Sequence, residues 1–424
     1  MTDSKILNCS FCSKNRDEVE KLVAGPGVYI CNECITISYE ILDDESALIN
    51  SDANILADVP IPSEIHAYLD LYITGQQEAK EILSTSAYNH YKRIRAGGDI
   101  ELSKSNVLMI GPTGTGKTLF AKTLSKKLGV PFAIADATTL TEAGYVGDDV
   151  ESVLERLLSV ADYDLKLAER GIIYIDEIDK KTRKSESSTT ARDVSGEGVQ
   201  QALLRLIEGT VTKVKIGTKK LVDEYVEFDT TNVLFIVGGA FVGIEEQIIK
   251  RAKNKTGVGF TGKIVTKNQR DQILRDLIPD DVVKYGLIPE LVGRLPILTT
   301  LDKLNEEQLV DILKNIKNNV IEQVRELMRY NDIELEFGDE YYTTVAHKAV
   351  ELEMGARAIK TIVENSLFWL MYSAPELQDN NVILVKYDKY PSNIDKPVAV
   401  YSDGTEQIIE DYRFFRRNLL DSNV

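Results

Sequence analysis

Asn106-Val-Leu-Met-Ile-Gly-Pro-Thr-Gly-Thr-Gly-Lys-Thr-Leu119 is the stretch that decides the fold. An apolar run, Val107 to Ile110, leads into Gly111-Pro112-Thr113-Gly114-Thr115-Gly116-Lys117-Thr118, and a helical pattern follows through Leu128. This is the full GxxxxGK[ST] P-loop in its strand–loop–helix setting. The glycines let successive backbone N–H groups curl around a polyphosphate, and the helix N-terminus adds partial positive charge. Lys117 is then a point charge for the terminal phosphates and the Thr118 hydroxyl a magnesium ligand. Gly111 through Leu119 are therefore expected to hold ATP and Mg²⁺.

A doubly wound parallel α/β sheet should surround this loop, because strands and helices alternate downstream. Pro131 to Ala135 reads as a strand and Asp148 to Ala161 as a helix. Gly171-Ile-Ile-Tyr-Ile-Asp176-Glu177 reads as a buried strand ending in two carboxylates. Asp176 is placed to orient the magnesium shell and Glu177 to activate the attacking water. A solvated turn is the bland alternative for such a pair. Val211 to Phe228 alternates like a hairpin, and Asn232 to Val237 is another buried strand, running into Gly238-Gly239. Before the P-loop, Leu71-Tyr-Ile-Thr-Gly-Gln76 precedes a helix over Gln77 to Arg95 and could pack on a nucleotide base.

Past Ile278 the pattern becomes helical, with one long amphipathic helix at 305–329 and two more at Asp339–Glu351 and Ala356–Met371. A strand at Asn381–Tyr387 and a tail with a basic-aromatic end, Tyr412 to Arg417, follow. The division expected is a zinc-binding domain at 1–42, a linker at 43–62, a large α/β nucleotide-binding domain at 63–300, a smaller helical domain at 301–390 and a tail at 391–424.

All four cysteines lie in the first 34 residues, as Cys9-Ser-Phe-Cys12 and Cys31-Asn-Glu-Cys34. C-x2-C-x18-C-x2-C is the spacing of a zinc ribbon or treble-clef knuckle, and four thiolates make a closed, structural Zn²⁺ site. Residues 1–40 carry Lys5, Lys14, Arg16 and Lys21 against Asp3, Asp17, Glu18, Glu20, Glu33 and Glu40, a surface that favours a protein partner over nucleic acid. The 424-residue chain has a net charge of −17, which argues against a nucleic-acid or anionic-membrane surface. No apolar run approaches the roughly 20 residues of a membrane span, and the N-terminus lacks a signal peptide's apolar segment. A cytoplasmic protein is expected.

With these pieces in line the chain resembles the ClpX family of AAA+ unfoldases. CSFC with GVYICNEC, LYITGQ, GPTGTGKT, ATTLTEAGYVGDDV, IIYIDEIDK, RDVSGEGVQQALLRLIEGT, GLIPELVGRLP and GARAIK fall in the family's order and spacing. The resemblance implies an ATP-dependent chaperone that unfolds proteins and threads them through the pore of a homo-hexamer into a ClpP-type peptidase, with substrates and adaptors met by the zinc domain. It implies that Tyr145 and Val146 grip substrate in the pore, with a second pore loop within Arg183–Val194. Read from the residues alone, a turn with a core tyrosine is the bland alternative for Tyr145. Arg294 is implied as an arginine finger, Arg357 as the arginine coupling nucleotide to the angle between domains, and Val258-Gly259-Phe260 as the peptidase-docking tripeptide.

Three departures stand out. The hairpin at Ile216-Gly-Thr-Lys-Lys-Leu-Val-Asp223 lacks the family's Arg-Lys-His, the tripeptide has Val258 for isoleucine, and Gly238-Gly239 stands where a polar nucleotide sensor is usual. Two other functions compete: a remodelling chaperone without a peptidase, and a DNA-acting AAA+ ATPase, which the acidic balance opposes.

Overall fold

The computed structural model describes residues 8–16, 19–36, 38, 59–95, 100, 102–141, 147–182, 196–216, 224–255, 273–392 and 395–409. Tyr145, Val146, Val258, Gly259, Phe260, the second pore loop and the basic-aromatic end all lie outside the described residues. The chain divides into two units, Met1–Val59 and Pro60–Val424.

In the first unit, β1 (Leu22–Gly25) and β2 (Val28–Cys31) form an antiparallel hairpin. Pro26 fixes its own φ, and Gly27 supplies φ +77° at the turn.

The second unit opens with α1 (Pro62–Asp70) and α2 (Gln77–Arg95). Then come β3 (Val107–Ile110), α3 (Lys117–Leu128) and β4 (Phe132–Asp136). Two short strands, β5 (Leu140–Thr141) and β6 (Asp148–Asp149), pair in parallel. Helix α4 therefore begins at Ser152 rather than Asp148 and runs to Val160. After α5 (Leu165–Ala168) and β7 (Ile172–Asp176) follow α6 (Glu197–Glu208) and the hairpin of β8 (Val211–Ile216) and β9 (Glu224–Asp229). β10 (Leu234–Gly239), α7 (Glu245–Lys255), α8 (Pro279–Tyr285), α9 (Pro289–Gly293) and β11 (Ile297–Thr300) complete the α/β part.

The five long strands form one parallel sheet in the order β11-β3-β10-β7-β4. Strands β3 and β10 are buried on every residue, as a sheet covered on both faces requires. Ligands in such sheets bind beyond the carboxyl ends of the strands, where the order reverses. Here β10 joins the P-loop strand to the carboxylate strand. Asn106 fixes the opposite end: its amide donates to the carbonyls of Ile207 (3.3 Å) and Arg294 (3.2 Å) and accepts from Phe235 N–H (3.2 Å).

The C-terminal part has its own core, centred on Leu309, Leu313, Val345, Leu367 and Leu370. The single helix expected at 305–329 is two helices, α10 (Glu306–Lys314) and α11 (Val320–Arg329). Between them Asn318 takes φ +60°, and the Asn319 side chain caps α11 by accepting from Glu322 N–H (2.9 Å). Asparagine favours both roles over a helix interior. β12 (Glu334–Phe337), α12 (Asp339–Glu351) and α13 (Ala356–Asp379) follow; α13 runs through Pro375, one turn from its end, and so outlasts the expected Met371. β13 (Val382–Tyr387), β14 (Val398–Tyr401) and β15 (Glu406–Ile408) join β12 in a four-stranded sheet. The boundary expected at residue 390 therefore cuts a sheet. Short strands joined by polar turns give too weak an alternation to stand out from a tail.

Candidate nucleotide site and four-cysteine centre

The P-loop leaves β3 at Gly111, whose N–H donates to the carbonyl of Gly239 at the end of β10 (3.2 Å). Gly114 and Gly116 take φ of +80° and +96°, conformations other residues adopt only with strain. Thr115 Oγ1 donates to the Pro112 carbonyl (2.8 Å), bending the loop back on itself, while Thr113 is exposed. Helix α3 has no side-chain cap and no acidic residue in its first turn, so its N-terminal N–H groups stay open to an anion.

Lys117 is buried, and its ammonium donates to the carbonyls of Gly111 (2.6 Å) and Pro112 (3.0 Å). Burial pushes its pKa below the usual lysine range; the charges of Asp176 and Asp179 oppose this, and Arg357 adds to it. Thr118 Oγ1 donates to Asp176 Oδ2 (3.1 Å), so the hydroxyl and carboxylate that the sequence nominated for a cation do stand together. Glu177 follows with φ +55°, in the left-handed region. That costs on the order of 1 kcal/mol and persists only where the surroundings enforce it. Its N–H donates to Asp176 Oδ1 (2.9 Å).

A cleft of about 590 Å³ opens beside the loop, within the size range of ligand pockets. Tyr72 and Ile73 wall one side, Leu119 comes from α3, and Ile312, Ile316 and Ile359 come from the C-terminal part. The Leu71–Gln76 element is thus at the cleft. Buried Lys80 holds it there, donating to Asp70 Oδ1 (2.6 Å) and the Ile73 carbonyl (2.7 Å). The Gln76 amide exchanges two bonds with the Asp302 backbone, giving 2.7 Å to its carbonyl and taking 2.9 Å from its N–H. The three isoleucines were missed by sequence reasoning, because their helical spacing matches that of any core residue.

The two nominated arginines lie in different places. Arg357 sits in the first turn of α13, whose Gly355 packs on Gly114 of the P-loop. Arg294 precedes β11, at the amino end of the sheet and away from its own P-loop. It is 58% exposed and donates to Glu208 Oε1 (2.8 Å).

In the first unit the four cysteine sulfurs lie within 4.8 Å of one another, with Cys9–Cys34 at 4.0 Å and Cys12–Cys31 at 3.7 Å. Four sulfurs about 2.3 Å from a tetrahedral zinc ion stand about 3.8 Å apart, so the set fits Zn²⁺ and is far too open for disulfides. Cys31 N–H donates to Cys9 Sγ (3.3 Å) and Cys34 N–H to Cys31 Sγ (3.4 Å), as suits thiolate ligands.

Comparison with known families agrees with this geometry. The model for the AAA domain (Cdc48 subfamily) matches residues 102–298, which defines an AAA-type P-loop ATPase. The ClpX C4-type zinc finger matches 7–44, and the C-terminal, D2-small domain of ClpB protein matches 304–376. The chain belongs to the ClpX-type Clp ATPases, with a four-cysteine zinc site ahead of a parallel-sheet AAA domain and a helical C-terminal domain. Among the described residues no helix is long and apolar enough to cross a membrane.

Proposed function

We propose that this ATPase is a protein unfoldase and translocase that assembles as a homo-hexameric ring, pulls substrate proteins through its pore and delivers them to a ClpP-type peptidase. The observation that carries this is the joining, in one chain, of the ClpX zinc finger to an AAA domain and its small partner domain.

ATP would lie in the cleft with its base against Tyr72 and Ile73 and its phosphates on the P-loop N–H groups. Lys117 would exchange the carbonyls of Gly111 and Pro112 for phosphate oxygens. Thr118 and Asp176 would hold Mg²⁺, which when bound offsets phosphate charge. Glu177 would accept the proton of the attacking water. Arg294, turned outward, would reach the site of a neighbour, while Arg357 would report phosphate to α13 and so to the C-terminal part. Tyr145 and Val146 would contact substrate, and Val258, Gly259 and Phe260 the peptidase.

The test combines the purified protein, ATP, a folded fluorescent protein with an unstructured terminal peptide, and a ClpP-type peptidase. Loss of fluorescence and appearance of peptides, both requiring hydrolysable ATP, are expected. Unfolding without peptide release would instead favour a remodelling chaperone, and no loss of fluorescence in either case would sink the unfoldase reading.

A further inference from the structure

Both residues that end β10, Gly238 and Gly239, leave room for neighbouring side chains. A Cβ on Gly238 would stand 2.1 Å from the Tyr174 hydroxyl oxygen, and one on Gly239 would stand 2.7 Å from Asp179 Oδ1. Tyr174 belongs to β7, and Asp179 to the turn after it. Polar atoms of β7 and its following turn thus fill space that side chains on β10 would take.

Tyr174 is the more informative of the two. Residues two apart in a strand share a face, so Tyr174 lies on the face of Asp176. Its ring is long enough to bring the hydroxyl level with the carboxylate. The hydroxyl donates to Asp176 Oδ1 (3.1 Å), the oxygen that also takes Glu177 N–H (2.9 Å), while Oδ2 takes the Thr118 hydroxyl (3.1 Å). The Tyr174 side chain is fully buried.

We propose that Tyr174 is a positioning residue: its hydroxyl fixes the Asp176 carboxylate so that Oδ2 stays beside Thr118 to meet the magnesium of the bound nucleotide, and Gly238 makes the room it needs. This rests on the reading of Asp176 as the cation-side carboxylate. A tyrosine held there only as packing would lose nothing by becoming phenylalanine.

Tyr174→Phe keeps the ring and removes the donor. Binding of fluorescent ADP to the full-length protein is measured in EDTA and across a Mg²⁺ titration, with Asp176→Asn as reference, and kcat and KM for ATP are taken alongside. The Phe variant should bind metal-free nucleotide as wild type does, need roughly tenfold more Mg²⁺ for half-maximal enhancement, and lose kcat with little change in KM at saturating Mg²⁺. Gly238→Ala, which takes the hydroxyl's room, should show the same shift and serves if the Phe variant does not fold. A wild-type Mg²⁺ midpoint in Tyr174→Phe, while Asp176→Asn has lost its Mg²⁺ response, overturns the inference alone. An equal loss of affinity for metal-free nucleotide also overturns it, as a packing defect. A wild-type Mg²⁺ response in Asp176→Asn removes the underlying reading of Asp176 instead.

Discussion

The Ala356 backbone N–H donates to the Gly114 carbonyl at 3.2 Å, so the first turn of α13 rests on the P-loop. A Cβ on Gly114 would stand 2.2 Å from the Met354 carbonyl oxygen, and one on Gly355 would stand 3.0 Å from the Gly114 carbonyl oxygen. Gly355 takes φ +59°, ψ −144°, a region that is essentially glycine's alone. Gly355→Ala should therefore destabilise this seat by roughly 1–3 kcal/mol without removing any phosphate-binding group. A lower unfolding midpoint and reduced ATP turnover, with fluorescent ADP still bound, are expected. Unchanged turnover would mean that the contact does not couple α13 to the nucleotide.

Glu177→Gln and Lys117→Ala should separate chemistry from binding. If Glu177 is the proton acceptor proposed, the first removes that group alone, so nucleotide affinity should persist while turnover falls by roughly 100-fold or more. The second removes a ground-state phosphate contact and should weaken binding itself. Turnover near wild type in the Gln variant would place the general base elsewhere.

The sequence made the P-loop, its strand and helix, and the Asp176-Glu177 pair legible because each is written in consecutive residues. Cys9, Cys12, Cys31 and Cys34 were legible for the same reason, two ligands to each knuckle. What stayed hidden depends on strand order. Nothing local says that β10 lies between β3 and β7, so the room above Gly238 and the tyrosine that fills it could not be paired. The contact of Gly114 with Gly355 joins glycines far apart in the chain, each of which reads alone as a turn. The break at Asn315–Asn319 was lost because helical spacing on both sides happens to stay in phase.

Zinc removal should act on the first unit. The Cys12→Ser, Cys34→Ser double variant should lose the metal, about one ion per chain in the wild type. With it should go the ordered N-terminal knuckle, because so short a segment buries too little apolar surface without metal. Residues 60–424 form a separate unit, so ATPase activity should persist. Metal analysis and limited proteolysis check this; a zinc-free wild-type protein with a protease-resistant N-terminus would end the assignment.

His90 should make stability fall in mild acid. It is buried, with Nε2 hydrogen-bonded to the Asn232 carbonyl (2.9 Å) and Nδ1 without a partner among the described residues. Burial, aided by the nearby charges of Arg93 and Lys104, lowers its pKa from 6.5 to about 3. Between those values the unfolded chain holds the extra proton, so the stability present above pH 6.5 drains away as pH falls toward 3. At pH 5 the loss should be about 2 kcal/mol. Denaturant unfolding at pH 7 and pH 5 should show a smaller drop in His90→Gln than in wild type, even if the variant is weaker at pH 7. Equal drops would show that His90 does not titrate on unfolding.

Arg294 tests the ring. Its carbonyl is held by Asn106 at the amino end of β3 (3.2 Å), whereas the P-loop leaves the carboxyl end, a strand length of roughly 13 Å away. A guanidinium at that end, exposed and, among the described residues, paired with Glu208, cannot serve its own phosphates without crossing the sheet. If it acts at all, it acts on a neighbour. Every interface of the ring would then be heterologous, one subunit giving the P-loop and the next the arginine. Arg294→Ala alone should bind nucleotide and turn over poorly, as should Glu177→Gln alone. Mixed in equal parts they should recover activity, since about a quarter of interfaces would join an intact Glu177 to an intact Arg294. ATPase assays after subunit exchange read this directly. Were Arg294 to act within its own subunit, no chain in the mixture would hold a complete site, and activity would stay at the level of the separate variants. Full activity of Arg294→Ala by itself would return the residue to the role its contact with Glu208 already gives it, an ordinary surface ion pair.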